Sequence, residues 1–70
     1  MKKNHKLIEH KWVVKLGKGY FSGYDETKVT YVIDDMPGAL DGRIVYNNLH
    51  EAKLDANNIG GQAEEVANKL

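Results

Sequence analysis

The feature that most constrains this chain is that it is short and cannot be cross-linked by disulfides: it has 70 residues and no cysteine. A domain of this size buries only about 60% of the surface of its unfolded chain, so one modest hydrophobic core has to hold it together. Disulfides and thiolate metal sites are both excluded. We therefore expect one small domain with a thin margin of stability, of a kind that suits a reducing cytoplasm.

The charges balance overall but are unevenly distributed. Ten basic and ten acidic residues give a net charge of zero, which argues against a protein that mainly binds a phosphate backbone. Residues 1–20 carry six lysines against one glutamate, whereas residues 21–70 carry four basic groups against nine acidic ones. Residues 1–9 show neither alternation nor a helical stripe, so we predict a flexible basic arm, followed by a single α+β domain over 10–70. No apolar run suits a secretory signal or a membrane helix, and no membrane association is expected.

Three stretches of the amino-terminal half have the β-branched and aromatic composition of strands: 10–16, 20–24 and 28–33. Short links rich in glycine, aspartate and threonine separate them. Alternation within the first stretch places Trp12 on one face and both Lys11 and Lys15 on the other. Consecutive strands with short links predict an antiparallel meander.

A loop, a short strand and a helix are predicted next. Residues 34–42 hold the only proline and should form a loop, and 43–46 (RIVY) should form a short fourth strand. Asn48 stands three residues before a glutamate, as in a capping box, although Asn47 could serve as the cap instead. Gly60 is placed to end the helix in the left-handed conformation, so the helix should span 48–59.

The last segment is compatible with two structures. Its alanine, valine and leucine spacing fits one face of a helix, but a strand over 62–67 would return along the first helix and is slightly favoured. The chain is thus predicted to be α+β, with a four- to five-stranded, mostly antiparallel sheet and one helix packed on one face. The predicted core draws on the first and third strands, the RIVY segment and the helix: Trp12, Val14, Leu16, Val29, Tyr31, Ile33, Ile44, Tyr46, Leu49, Ala52, Ala56 and Ile59.

A resemblance rests on the residues that open the sheet, on the Gly-Tyr-rich hairpin after them, and on the RIVY segment with the alanine-spaced helix and its Gly-Gly stop: Trp12-Val13-Val14-Lys15, Arg43-Ile44-Val45-Tyr46, Leu49, Glu51-Ala52, Ala56 and Ile59-Gly60-Gly61. In these residues, which span about the last sixty positions, the chain resembles small, mostly uncharacterised proteins encoded by phages and prophages of Gram-positive bacteria. The resemblance implies a compact sheet with one helix and an accessory role in infection. It assigns no functional residue.

Two surfaces are candidates for binding. The first is acidic and joins the loop to the polar side of the helix, and it could occupy a basic groove on a host protein: Asp34, Asp35, Asp41, Glu51 and Asp55. The second combines lysines with aromatic rings, as surfaces that bind single-stranded nucleic acid do: Lys11, Lys15, Lys18, Tyr20 and Tyr24. Protein contact through a sheet edge or an aromatic patch is a further possibility.

No motif for catalysis, a cofactor or a metal is present in the sequence. The three histidines form no tight pair, the aspartates lack EF-hand spacing, and Gly17-Lys18-Gly19 lacks the pattern of a phosphate loop. We therefore expect a non-enzymatic binding module without a cofactor, acting in the cytoplasm, with a protein as its partner. Nucleic-acid binding is the alternative, and a homodimer that completes the core is a third option.

Overall fold

The computed structural model describes residues 10–66, and the predicted basic arm at 1–9 and the end of the tail at 67–70 lie outside this range. The elements in chain order are β1 (Lys11–Leu16), β2 (Gly19–Asp25), β3 (Lys28–Ile33), a 3₁₀ helix (Ala39–Gly42), α1 (Leu49–Ile59) and β4 (Gln62–Val66). The four strands form one antiparallel sheet in the order β3-β2-β1-β4. This sheet with one α-helix confirms the predicted α+β fold.

The predicted meander is present and is built on two tight turns. Residues 17 and 18 connect β1 to β2, and Glu26 and Thr27 connect β2 to β3. Glu26 has φ 60°, the positive value that the first central residue of a tight hairpin turn requires. The β2–β3 ladder runs from Asp25 opposite Lys28 to Gly19 opposite Ile33, with one irregularity between Phe21 and Gly23.

The prediction of a strand at 43–46 is wrong. β1 and β2 pair only beside their turn and then separate, and residues 44–46 enter the gap between them. There the backbone of Tyr46 exchanges two hydrogen bonds with Trp12, at 2.7 and 2.9 Å, and the Ile44 N–H donates to the Phe21 carbonyl at 2.9 Å. Residues 44–46 fill this gap and pair with β1 through one isolated β-bridge, between Tyr46 and Trp12, so they do not form a strand. The preceding stretch 34–42 is not all loop either, since it contains the 3₁₀ helix.

The helix is confirmed with both of its predicted ends. The Asn48 side-chain oxygen accepts from the N–H groups of His50 and Glu51, so Asn48 is the cap and Asn47 is not. Gly60 ends the helix at φ 80°, and the next N–H, of Gly61, donates to the Ala56 carbonyl at 2.8 Å. This reversal sends the chain into β4, so the strand alternative for the tail is confirmed as far as residue 66.

The core lies between α1 and the β1–β4 half of the sheet. Its buried side chains are Val14, Phe21, Tyr46, Ala52 and Ala56, and partly buried hydrophobic side chains surround them: Trp12, Val29, Ile44, Ile59 and Ala63. Two residues predicted for the core, Tyr31 and Ile33, are exposed instead.

Two residues that the predicted core omitted are almost completely buried, Phe21 and Val13. Phe21 joins the core cluster with Val14, Tyr46 and the alanines of α1, and its carbonyl accepts from the Ile44 N–H. Val13 lies on the opposite face of the sheet, beside the 3₁₀ helix and Tyr20. The central strand β1 is therefore covered on both faces, which its alternation of apolar and lysine side chains did not indicate.

Candidate functional site

The half of the sheet that α1 does not cover exposes large hydrophobic side chains. Tyr24 is 56% exposed, Tyr31 54% and Ile33 45%, and together with Val29 they occupy the helix-side face of β2 and β3. We call these four residues the hairpin face. Contiguous exposed apolar side chains on a small domain are typical of an interaction surface.

The size of the helix explains why this face is bare. An α-helix is about 10 Å across and strands lie about 4.8 Å apart, so one helix covers about two strands. α1 contacts β1 and β4, at the opposite edge from β3. The same arithmetic was available from the sequence, which predicts one helix and at least four strands: it indicates that about half of one sheet face stays uncovered, but not that Tyr31 and Ile33 lie in that half.

The rings of the hairpin face are held by what lies beneath them. Gly19 is buried under Tyr31, and a Cβ at position 19 would meet Cδ2 of that ring at 2.5 Å. Tyr24 packs edge-on against the buried Phe21 ring, with the centroids 5.5 Å apart. Rings fixed before binding lose less conformational entropy on contact with a partner, which favours a docking role.

The outer edge of β3 continues the hairpin face. Within residues 10–66, no strand pairs with this edge. In an antiparallel ladder, alternate residues point their N–H and C=O groups to either side. The Phe21 carbonyl points away from β3, toward Ile44, so its partner Tyr31 turns its backbone groups outward. By the same alternation, the backbone N–H and C=O groups of Val29 and Ile33 also point outward at the open edge of β3.

The candidate nucleic-acid residues are divided between the two faces. Lys11 and Lys15 lie on the face away from the helix, opposite to Trp12 as the alternation predicted. Tyr20 shares that face, whereas Tyr24 lies on the helix side. Lys18 is exposed in the β1–β2 turn. The five residues therefore form no single stacking surface.

The Tyr20 ring already has two cations of this chain beside it. The Lys15 ammonium lies 5.6 Å and the Arg43 guanidinium 5.8 Å from the ring centroid. The Lys11 ammonium donates to Asn47 Oδ1 at 2.6 Å. A base that stacked on Tyr20 would have to displace Lys15 or Arg43, which weakens the case for a nucleic-acid platform.

A shallow cleft of about 190 Å³ adjoins Tyr20 on this face. It is lined by Val13, Leu40, Arg43 and Glu64, among others. Sites for small molecules usually enclose about 300 to 1,000 Å³, so the cleft is small for a substrate pocket. Within residues 10–66, no group of three or more histidine, aspartate or glutamate side chains is placed to hold a metal ion.

The candidate acidic residues are divided as well. Asp34, Asp35 and Asp41 belong to the loop and to the 3₁₀ helix, which contacts β3, whereas Glu51 and Asp55 belong to α1, which contacts β1 and β4. The predicted acidic surface therefore groups residues that the fold separates, because Leu40 of the 3₁₀ helix lies beside Val13 on the face of the sheet away from α1.

Asp55 has an internal role, although the helix pattern placed it on the solvent side. Its Oδ2 accepts a hydrogen bond of 2.6 Å from the Tyr46 hydroxyl. Burial, together with this bond and the negative charge of Asp55, raises the pKa of Tyr46 far above its ordinary value. Asp55 thus ties α1 to the 44–46 segment.

No protein-family model, curated protein or solved structure matches this chain at a significant level. Along the part of the chain that the structure covers, no helix has the length and apolar character needed to cross a membrane.

Proposed function

We propose that this chain is a non-enzymatic binding module that docks on another protein chain through the hairpin face and the adjoining edge of β3. The observation that carries the proposal is the exposure of Tyr24, Tyr31 and Ile33 on one continuous half of a sheet face. Aromatic side chains supply large contact areas at low entropic cost, and protein interfaces are enriched in them.

The edge adds directional hydrogen bonding to this apolar contact. A strand that pairs with β3 satisfies the outward backbone groups of Val29, Tyr31 and Ile33 while its side chains cover their side chains. Only Lys28 among the six residues of β3 carries a charge, so the strand has little of the protection that natural edges use against pairing. Edge and face together support a polypeptide partner better than a nucleic acid.

The acidic residues and the context of action complete the proposal. Asp34 and Asp35 directly follow β3 and would lie at the rim of such an interface, where charges set the rate and orientation of binding. The lack of cysteine and the resemblance noted above support an accessory protein that acts in the cytoplasm, in a host cell infected by a phage.

Photo-cross-linking in the cell that expresses the chain tests this proposal. Benzoylphenylalanine replaces Tyr31 in one variant and Leu54 in a matched control, because Leu54 is 51% exposed on α1, away from the hairpin face. We expect adducts with polypeptide at position 31 and few at position 54. Adducts confined to position 54, or adducts with nucleic acid at position 31, would contradict the proposal.

A further inference from the structure

We infer that the hairpin face and the β3 edge bind a second copy of this chain, through antiparallel pairing of the two β3 strands with Tyr31 on the two-fold axis. The inference rests on the proposed function and names its partner. Pairing of this kind joins two four-stranded sheets into one continuous sheet.

The direction of the backbone groups restricts the possible pairings. Val29, Tyr31 and Ile33 face outward, and an antiparallel ladder joins outward residues only to outward residues. A two-fold axis through Tyr31 pairs Tyr31 with itself and Val29 with Ile33 of the other copy, which gives about six hydrogen bonds. The Ile33 carbonyl accepts at 2.9 Å from Asp35 within its own chain and has a second lone pair for the partner. Slipping the strands along the ladder in either direction leaves one outward residue without a partner.

Charge favours the same register. With Tyr31 on the axis, Lys28 of each copy lies near Asp34 of the other, the first residue after β3, so two oppositely charged pairs form by symmetry. An axis through Thr30 would set Glu26 against Asp34, which repel. The alternative axis through Val32 would place an aspartate opposite Val29. The register with most hydrogen bonds is therefore also the one with complementary charges.

The side chains of the hairpin face gain the cover that α1 does not give them. Val29, Tyr31 and Ile33 point to the helix side of the sheet, so across the joint each meets an apolar side chain from the other copy. The two Tyr31 rings become a cross-strand aromatic pair. Among the described residues, the buried hydrophobic side chains are two aromatic rings, two valines and two alanines. A second copy would add apolar contacts to this small core.

Sedimentation equilibrium of the full chain from about 1 µM to about 500 µM tests the inference. We expect a monomer–dimer equilibrium. Asp34→Lys should weaken the dimer about tenfold, because it sets two lysines against each other at both ends of the joint, and adding Lys28→Asp should restore most of the loss. Asp41→Lys is the matched control: it makes the same charge change at an exposed site in the 3₁₀ helix and should leave the dimer constant unchanged.

Disulfide trapping reads the register directly, since the chain has no cysteine of its own. Opposed residues in a hydrogen-bonded pair have Cα atoms about 5.5 Å apart, within the range that a disulfide spans. Tyr31→Cys should therefore form linked dimers on mild oxidation, whereas Thr30→Cys and Ile33→Cys, which lie away from their own copies across the axis, should not.

A monomer over the whole concentration range would overturn the inference, as would a dimer that Asp34→Lys does not weaken. These outcomes are separate from failure of the proposed function. A monomeric chain whose position 31 still cross-links to a different polypeptide keeps the binding role and loses only the self-pairing. A dimer whose adducts form at position 54 contradicts both.

Discussion

Tyr46 joins three parts of the chain. Its backbone bridges to Trp12, its ring lies in the core, and its hydroxyl donates to Asp55 on α1. Through these contacts Tyr46 fills the gap between β1 and β2 and also fixes the position of α1. Its loss affects stability even though it belongs to no regular element.

Removing only the hydroxyl, with Tyr46→Phe, should lower the free energy of unfolding by about 1.5 kcal/mol at neutral pH, because a hydrogen bond to a carboxylate is lost. The substitution should also change the alkaline behaviour. Unfolded tyrosine releases its proton near pH 10, whereas burial and Asp55 raise the pKa of Tyr46 in the folded state. Above about pH 10 the folded state therefore binds more protons than the unfolded state, and stability falls as the pH rises.

Urea unfolding between about pH 8 and pH 11 measures this effect. The wild-type chain should lose stability more steeply above about pH 10 than Tyr46→Phe does. Tyr31→Phe, at an exposed tyrosine, is the control and should keep the wild-type slope. Equal slopes in all three proteins would contradict the assignment of the alkaline loss to Tyr46.

Phe21 and Tyr24 make a matched pair of aromatic residues on one strand, one 2% and the other 56% exposed. Phe21→Ala should cost about 3 to 5 kcal/mol, since it opens a cavity in the core, and a domain this small would then be largely unfolded. Tyr24→Ala should cost about 1 kcal/mol or less. Thermal unfolding followed by circular dichroism distinguishes the two, and similar losses would contradict the division between core and hairpin face.

At the scale of elements, local signals were sufficient for α1 and the meander. A cap at Asn48, a glycine stop and an apolar stripe all fall within one short window, and each strand carries its own alternation. The 44–46 segment could not be predicted in the same way, because its place depends on where β1 and β2 separate. Phe21 was misjudged for the same reason, since it is buried by a segment distant in sequence.

The helix cap offers an element-scale prediction with a built-in control. Asn48→Ala should destabilise the chain by about 1 kcal/mol, because the N–H groups of His50 and Glu51 lose their acceptor. Asn47→Ala removes an amide of the same size whose oxygen accepts from the Lys11 ammonium at an exposed site, and it should change stability by less than about 0.5 kcal/mol. Chemical unfolding of both variants measures the two losses of stability. A larger loss for Asn47→Ala than for Asn48→Ala would contradict the assignment of Asn48 as the cap.

At the scale of the whole molecule, one helix faces a sheet about twice its width. The sequence predicts both elements but not their alignment, and the alignment decides which apolar residues form the core and which form the surface. Because α1 follows the 44–46 segment beside β1 and leads into β4, the helix packs on the β1–β4 half of the sheet. The candidate site is therefore a property of the assembled sheet, and neither the acidic nor the lysine-rich pattern indicated it.

Amide hydrogen exchange along the two sheet edges should show whether β3 gains a partner. The outward amides of Val29, Tyr31 and Ile33 should exchange quickly in dilute solution and slow down as the concentration rises, because pairing removes them from water. On the other edge of the sheet, the backbone groups of Trp12 point to Tyr46 and so away from β4. By alternation along β1, only Gln62, Glu64 and Val66 of β4 bond to β1. The amides of Ala63 and Glu65 therefore face outward. They should stay fast at every concentration. If all outward amides slowed alike, the association would be non-specific, and if the β3 amides stayed fast at concentrations where sedimentation finds dimers, the copies would meet through another surface.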